Sequence, residues 1–413
     1  MQRHKEMAIP GTEEITRRQR LTLLIVAVAG HGLKHMFNAA FFILLPEIKA
    51  GLGLSNTQIG TLSTFRGIAG GLANIPAGFA GDRFAKRRAE ILGGSIVLVS
   101  AFAFALGLAT NFWVAVIAAS LFSVSITFWH PAAISSLSRE FASRRGFAIA
   151  LHGTGGSIGE TLGPILVGSI VGIIGWRLVL QGSVVPGLMA GLVIWSLLRA
   201  IPAGKSSESS IQAYVGSIAA IFRNGRLLLV LIFAAGFAGG QSTVLTFLPI
   251  YLDEDLGASS VTIGLYLSLA QVGGIVSQPL MGLASDRLGR KLILAPSLAI
   301  LGLSFVGLSA APSGWIFGLV VLLMGAFLFP MMSILLAAAM DLVGEGAQAT
   351  TVSLVFGSAI IVSAFAPTVA GVLADSRGTE AAFVFGAGLV LSASFLSAVT
   401  RWHPRATAST PLE

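Results

Sequence analysis

Cysteine is absent from all 413 residues. Disulfides, thiolate metal sites and cysteine nucleophiles are therefore excluded. Charge is scarce as well: Asp, Glu, Lys and Arg make up 11% of the chain, against about 25% in a soluble domain. That is too little to cover a water-facing surface. Apolar residues take its place, at 54% of the sequence with a mean hydropathy of +0.86. Stretches of about 20 apolar residues succeed one another, the length that crosses a hydrocarbon core of roughly 30 Å. The 50 glycines suit helices that pack closely in lipid. The composition predicts an all-α integral membrane protein. No polar segment is long enough to house a catalytic constellation, so an enzyme is not expected, nor is a cofactor.

The pattern predicts twelve transmembrane helices, at about 21–46, 57–80, 91–109, 112–137, 147–173, 177–199, 227–251, 261–283, 292–310, 315–340, 349–374 and 379–400. With both termini in the cytoplasm, 21 of the 26 Lys and Arg fall in cytoplasmic segments. Lys49, Arg177 and Arg377 lie outside, while Lys34 and Arg66 lie within spans. This asymmetry follows the positive-inside rule. The net charge of +8 thus sets topology and does not mark a nucleic-acid partner. The predicted organisation is a cytoplasmic tail at 1–20, a six-helix bundle at 21–199, a cytoplasmic linker at 200–226, a second six-helix bundle at 227–400 and a tail at 401–413. The expected location is a bacterial-type inner membrane, and the expected state is a monomer.

The two halves repeat each other. Ser55, Ile59, Gly60, Gly78, Asp82 and Arg83 recur 204 positions later as Ser259, Ile263, Gly264, Gly282, Asp286 and Arg287, and Leu45-Pro46 recurs as Leu248-Pro249. Duplicated six-helix units are an architecture of secondary transporters, with the substrate site between the halves near the midplane. The two repeated loops, running from Gly78 through Lys86, Arg87 and Arg88 and from Gly282 through Gly289, Arg290 and Lys291, resemble the signature loop of the major facilitator superfamily. Ala85 and Lys86 depart from its usual glycine and arginine. The resemblance spans about residues 21–400 and implies gating roles for Asp82, Arg83, Arg87, Asp286, Arg287 and Arg290. Gly159 through Gly163 and Pro164 resemble that family's antiporter motif, although close helix packing alone would also explain the glycines. Leu44 to Ile48, Leu54-Ser55, Gln58-Ile59-Gly60, His130-Pro131, Gly155-Gly156 and Gly163 to Leu166 are similar to the fosmidomycin-resistance group, whose members export an anionic phosphonate.

Charge inside the membrane is the most informative feature. His31, Lys34, His35 and Asn38 fall at i, i+3, i+4 and i+7, one face of a helix. Arg66, His130, His152 and Glu160 add to them from other spans. An ionised group at a helix centre costs about 3 kcal/mol on insertion scales, so such residues usually face a cavity and serve function. Two cations, four histidines and one carboxylate suit an anion. His31, Lys34, His35, Asn38, Arg66, His130, Gln241 and Gln271 are the expected substrate contacts. Glu160, His35, His130 and His152 are the expected proton-coupling groups, because histidines and a buried carboxylate can exchange protons.

The sequence therefore predicts a carrier working by alternating access, in which protons drive export of a small organic anion of phosphonate or carboxylate type. Uptake of such an anion with protons is the alternative. A divalent-metal carrier using His31 and His35 is disfavoured by Lys34 on the same face, so no metal site is expected. A non-transporting sensor would need more than tails of 20 and 13 residues.

Overall fold

The computed structural model describes residues 15–141, 144–202, 224–342 and 348–401, with the side chains of Ile75, Asp82 and 348–362 excepted. Most of the predicted linker and of both tails lies outside the described residues. Within them every regular element is helical. The α-helices are α1 (Arg17–Ile43), α2 (Leu45–Leu52), α3 (Asn56–Arg83), α4 (Arg88–Gly107), α5 (Phe112–Thr127), α6 (Trp129–Glu140), α7 (Arg145–Gly182), α8 (Val184–Leu198), α9 (Gly225–Glu254), α10 (Ser260–Leu288), α11 (Arg290–Ala310), α12 (Trp315–Met340), α13 (Gln348–Arg377) and α14 (Glu380–Val399).

Nine stretches among the described residues are long and apolar enough to cross a membrane. One of them, Arg145–Leu198, is 54 residues long and breaks at Gly175, whose φ of 77° leaves the helical region. At 1.5 Å per residue, α3 and α13 are each about 40 Å or more in length, also enough for a crossing. Three predicted spans are interrupted. The first ends at Leu44, where Pro46 opens the separate α2. The fourth breaks at Phe128, so that Pro131 falls in the first turn of α6. Proline is tolerated there because those N–H groups have no helical partner anyway. The sixth breaks at Ser183, between α7 and α8.

In the first half α1 packs on α7, α3 on α5, and α4 on α8. The second half repeats the scheme, with α9 on α13 and α14, α10 on α12, and α11 on α14. The halves meet along α3 with α13 and α7 with α10. The repeated residues build this seam twice. Ser55 and Ser259 cap the N-termini of α3 and α10. Ile59 and Ile263 are buried behind them. A Cβ on Gly60 would collide with the Pro367 carbonyl of α13, and one on Gly264 with the Pro164 carbonyl of α7. Gly371 and Gly168 close the pattern, pressed against the carbonyls of Asn56 and Ser260. Pro164 and Gly168 thus have counterparts in Pro367 and Gly371, a second repeat that the sequence reading missed although its offset of 203 matches that of Leu45-Pro46.

The links between the halves gather at the end where α3 and α10 begin. Asp375 accepts hydrogen bonds from the Asn56 and Thr57 N–H groups at 2.8 and 2.9 Å and from the Thr57 hydroxyl at 2.6 Å. It caps α3 from the opposite half. Burial alone would raise the Asp375 carboxyl, but these bonds outweigh it and hold the group below its usual range. Lys49 pairs with Glu254 at 2.6 Å across the same end, and Ser268 donates to the Thr161 carbonyl at 2.6 Å. The molecule is closed on this side.

The signature loops tie helices within one half. Arg290 joins Asp286 to Asp341, the latter at 2.9 Å. The guanidinium donates to both carboxylates. Gly289, at φ 98°, provides the turn. The first loop lacks this glycine and forms a 3-10 turn over Ala85–Arg87 instead. Its anchor is Arg88, which the sequence reading did not single out. Arg88 is buried, pairs with Glu140 at 3.4 Å and donates to the carbonyls of Ile201 and Pro202 at 3.2 and 2.9 Å. Arg83, Arg87 and Arg287 are exposed, and the side chain of Asp82 lies outside the described residues.

Losing a helix cap costs about 1 kcal/mol. Asp375→Ala is therefore expected to open the closed side roughly fivefold more often. The native chain has no cysteine to interfere, so a single cysteine at Ser63 can report by its rate of labelling with an impermeant maleimide. An unchanged rate would remove Asp375 as a latch.

Candidate functional site

The site is organised by the crossing of α1 and α7. On α7, Gly155, Gly159 and Gly163 recur every four residues, one stripe along the helix. A side chain on Gly155 would strike the Val28 carbonyl, one on Gly159 the Gly32 carbonyl, and one on Gly163 the Met36 backbone. The two backbones touch because these positions have no side chains. Gly156, one residue round, packs against the rings of His31 and His35. The glycine stretch thus has a direct packing cause here.

This approach gathers the polar residues of α1 against those of α6 and α7. His31 Nδ1 donates to the His152 carbonyl at 2.6 Å, and the two rings stack 3.8 Å apart. His152 Nδ1 donates to the Ala27 carbonyl at 3.1 Å, leaving its Nε2 without a partner. His31 Nε2 lies 2.8 Å from His130 Nε2 and 3.0 Å from His35 Nε2. Lys34 is buried and sets its Nζ 3.3 Å from His35 Nε2 and 3.2 Å from His130 Nδ1. His35 Nδ1 donates to Glu160 at 2.6 Å. The other Glu160 oxygen accepts from the side-chain amide of Gln271 on α10. The carboxylate therefore joins the two halves.

Trp129 forms the back wall. It is fully buried, and its ring fills the space left by the missing side chain of Gly30. The break before α6 sets His130 one residue beyond this anchor.

Arg66 occupies a separate part of the site. Its guanidinium donates to the Asn38 side-chain oxygen. It stands over the rings of Phe41, Phe42 and Phe122 at 4.4, 5.0 and 5.9 Å, and the rings' negative faces stabilise the cation. Its Nε is buried with no partner. Among the described residues no carboxylate pairs with it. Lys34, by contrast, shares one network with Glu160.

Most of the predicted site residues thus fall in two linked groups. The four histidines, Lys34, Glu160 and Gln271 form one, Arg66 and Asn38 the other, and Asn38 is one helical turn from Lys34 on α1. Gln241 joins neither group; it is half-buried on α9. Sequence reasoning missed the phenylalanine cage of Arg66. Phe41 and Phe42 are adjacent on one helix, but Phe122 comes from α5, and only packing brings them together.

His31, His130 and His152 offer ring nitrogens within 4.8 Å of one another, a spacing that suits a metal ion. One feature opposes an ion there: an ammonium stands 3.2 Å from His130.

Two repeated helical halves closed around a central polar cluster define a membrane carrier of solutes. The chain belongs to the Major Facilitator Superfamily, whose sequence profile matches residues 27–254 and 237–413. It is a multi-pass transporter and not an enzyme. The fosmidomycin resistance protein of Escherichia coli K12 is 23% identical over 393 residues, covering 93% of this chain and 94% of that one. The cis,cis-muconate transport protein of Acinetobacter baylyi is 25% identical over 293 residues, covering 65% of this chain and 70% of that one. A bacterial homologue of the human lysosomal transporter Spinster, solved in an inward-facing and occupied conformation, shares the fold with a TM-score of 0.77 at 17% identity. That match covers 94% of this chain and 97% of the solved one.

Forcing α1 and α7 apart should dismantle the cluster. Gly159→Leu is expected to cost at least about 3 kcal/mol through overpacking, read as a fall in melting temperature of purified protein. Gly172→Leu, where the added side chain meets open space, is expected to melt like the parent. Equal melting of the two variants would refute the crossing as the organising contact.

Proposed function

We propose that the protein couples protons to the movement of a small organic anion, with Arg66 as its principal anion-binding group. The observation that carries this reading is the state of Arg66: a caged guanidinium with an unpartnered Nε and no carboxylate beside it among the described residues. A cation in a low-dielectric site is costly until an anion reaches it, and a guanidinium can grip a carboxylate or phosphonate with two parallel hydrogen bonds. Lys34 has its countercharge in Glu160 through His35, so Arg66 is the cation left for the cargo. Glu160 and the histidines supply the proton-exchanging groups. Gln271 brings the second half to them.

The distribution of Lys and Arg supports a topology with both termini and the signature loops in the cytoplasm and the closed side outside. In this conformation the site would face the cytoplasm, as an exporter loading its cargo requires. The full-length likeness to a drug-resistance protein supports export, and a guanidinium suits phosphonates and carboxylates as cargo. Uptake with protons is the second reading. It is favoured by one feature of the site: a proton on the histidines and an anion on Arg66 attract each other, which suits joint movement.

Proteoliposomes loaded with labelled anions test the reading. Arg66→Ala is expected to weaken anion binding roughly 10- to 100-fold, the value of hydrogen bonds to a charged group. Arg66→Lys keeps the charge but loses the planar fork, so it should recover only part. Unchanged affinity in Arg66→Ala would remove the anion site. Glu160→Gln is expected to leave exchange of labelled anion across the membrane while abolishing accumulation driven by a pH gradient. Normal gradient-driven accumulation in that variant would overturn Glu160 as a coupling group.

A further inference from the structure

Resting on the proton-coupled reading above, we propose that the coupling proton is seated in the contact between His31 and His35, bonded to His35 Nε2 and donated to His31 Nε2, and that its arrival releases Lys34 towards the anion. The argument is an accounting of hydrogens. Carbonyl and carboxylate oxygens only accept hydrogen bonds. His31 Nδ1 faces the His152 carbonyl, His152 Nδ1 the Ala27 carbonyl, and His35 Nδ1 the Glu160 carboxylate. Each of these three nitrogens therefore carries a hydrogen. In neutral rings the Nε2 atoms of all three are lone pairs.

Lys34 only donates. Its ammonium faces His35 Nε2 at 3.3 Å and His130 Nδ1 at 3.2 Å, and both must accept. His130 then carries its hydrogen on Nε2 and donates it to His31 Nε2 at 2.8 Å. Lys34 Nζ also stands 3.4 Å from His130 Nε2, where this hydrogen leaves two donors facing each other. One shorter contact carries no hydrogen at all. His31 Nε2 and His35 Nε2 stand 3.0 Å apart, and the accounting places no hydrogen between them. Each nitrogen has one lone pair, already engaged by Lys34 at His35 and by His130 at His31, so a proton that enters this contact displaces both bonds.

His35 is the ring that takes it. The imidazolium would have the Glu160 carboxylate on its Nδ1 side, a countercharge that His31 lacks. The groups facing this pair are Lys34 on α1, His130 on α6, and His152 and Glu160 on α7, while α10 contributes the uncharged Gln271. Arg66 of α3 stands one turn away through Asn38. The step is an addition: one N–H bond forms on His35, no covalent bond breaks, the hydrogen bonds from Lys34 to His35 and from His130 to His31 are given up, and the cluster gains one positive charge. An N–H on His35 can no longer accept from Lys34, and two cations then face each other at 3.3 Å. The ammonium must swing away, and Asn38, the partner of Arg66, is one turn along the same helix. The proton thereby adds a second cation to the anion site, which links the two bindings without any contact between proton and cargo.

Histidine 15N resonances of purified protein, free of added solute, test this assignment. His4 and His403 are first replaced by glutamine so that only the four cluster rings report. At high pH the expected pattern is a hydrogen on Nδ1 for His31, His35 and His152 and on Nε2 for His130. On acidification His35 is expected to gain the first proton, with His31 shifting in the same step. His31→Phe removes the acceptor and should weaken that proton about tenfold or more. Lys34→Met removes the opposing cation and should strengthen it by a similar factor. Opposite shifts in the two variants are not a consequence of general loosening. The assignment is overturned if neutral His35 carries its hydrogen on Nε2, if His130 or His152 takes the first proton, or if the histidines hold a metal ion in the purified protein. A protein that titrates as described but moves no anion would sink the transport reading alone. One that accumulates anion under a pH gradient while His35 stays neutral would sink this assignment alone.

Discussion

The backbone contact between α1 and α7 is the constraint on which the rest of the site depends. Three glycines four residues apart let the helices touch, and in lipid such contact is held by dispersion and not by the hydrophobic effect. The approach sets the ring of His31 on that of His152 and carries His35 to Glu160. With ordinary side chains at these glycines the helices would stand farther apart, and each histidine would need another partner. Burying so many polar groups is tolerable because nearly all of them find one another.

The same crossing separates two kinds of positive charge. Lys34 is drawn into a network that ends on a carboxylate. Arg66 is stabilised by ring faces and one amide oxygen, which soften the cost of its charge without cancelling it. A carrier has to bind its cargo firmly enough to load and loosely enough to release. On the reading proposed for Arg66, a cation half-satisfied by a phenylalanine cage would meet both needs better than one locked in an ion pair.

Duplication and asymmetry divide the work between the halves. The repeated serine, isoleucine and glycine form the seam twice, so the closed side is built from two equivalent contacts. The charged cluster belongs to the first half alone, and the second half reaches it through Gln271. A relative shift of α7 and α10 would move Gln271 away from Glu160.

The sequence by itself determined that this is a helical membrane protein with two repeated halves, because apolar length and charge placement are read by lipid along the chain and need no tertiary contact. It also determined which residues carry charge into the membrane: spacing alone put His31, Lys34, His35 and Asn38 on one face. It did not reveal what each touches. Lys34 and Arg66 looked like equivalent cations; only the packed structure gave Glu160 to one and a cage to the other. Gln241 and Gln271 looked alike, yet α10 reaches Glu160 and α9 does not. The loop arginines were equally ambiguous, and burial selected Arg88. Tertiary structure decided these matters because charge pairing in a low-dielectric interior depends on distances of a few ångströms between segments a hundred or more residues apart. No local pattern encodes such distances.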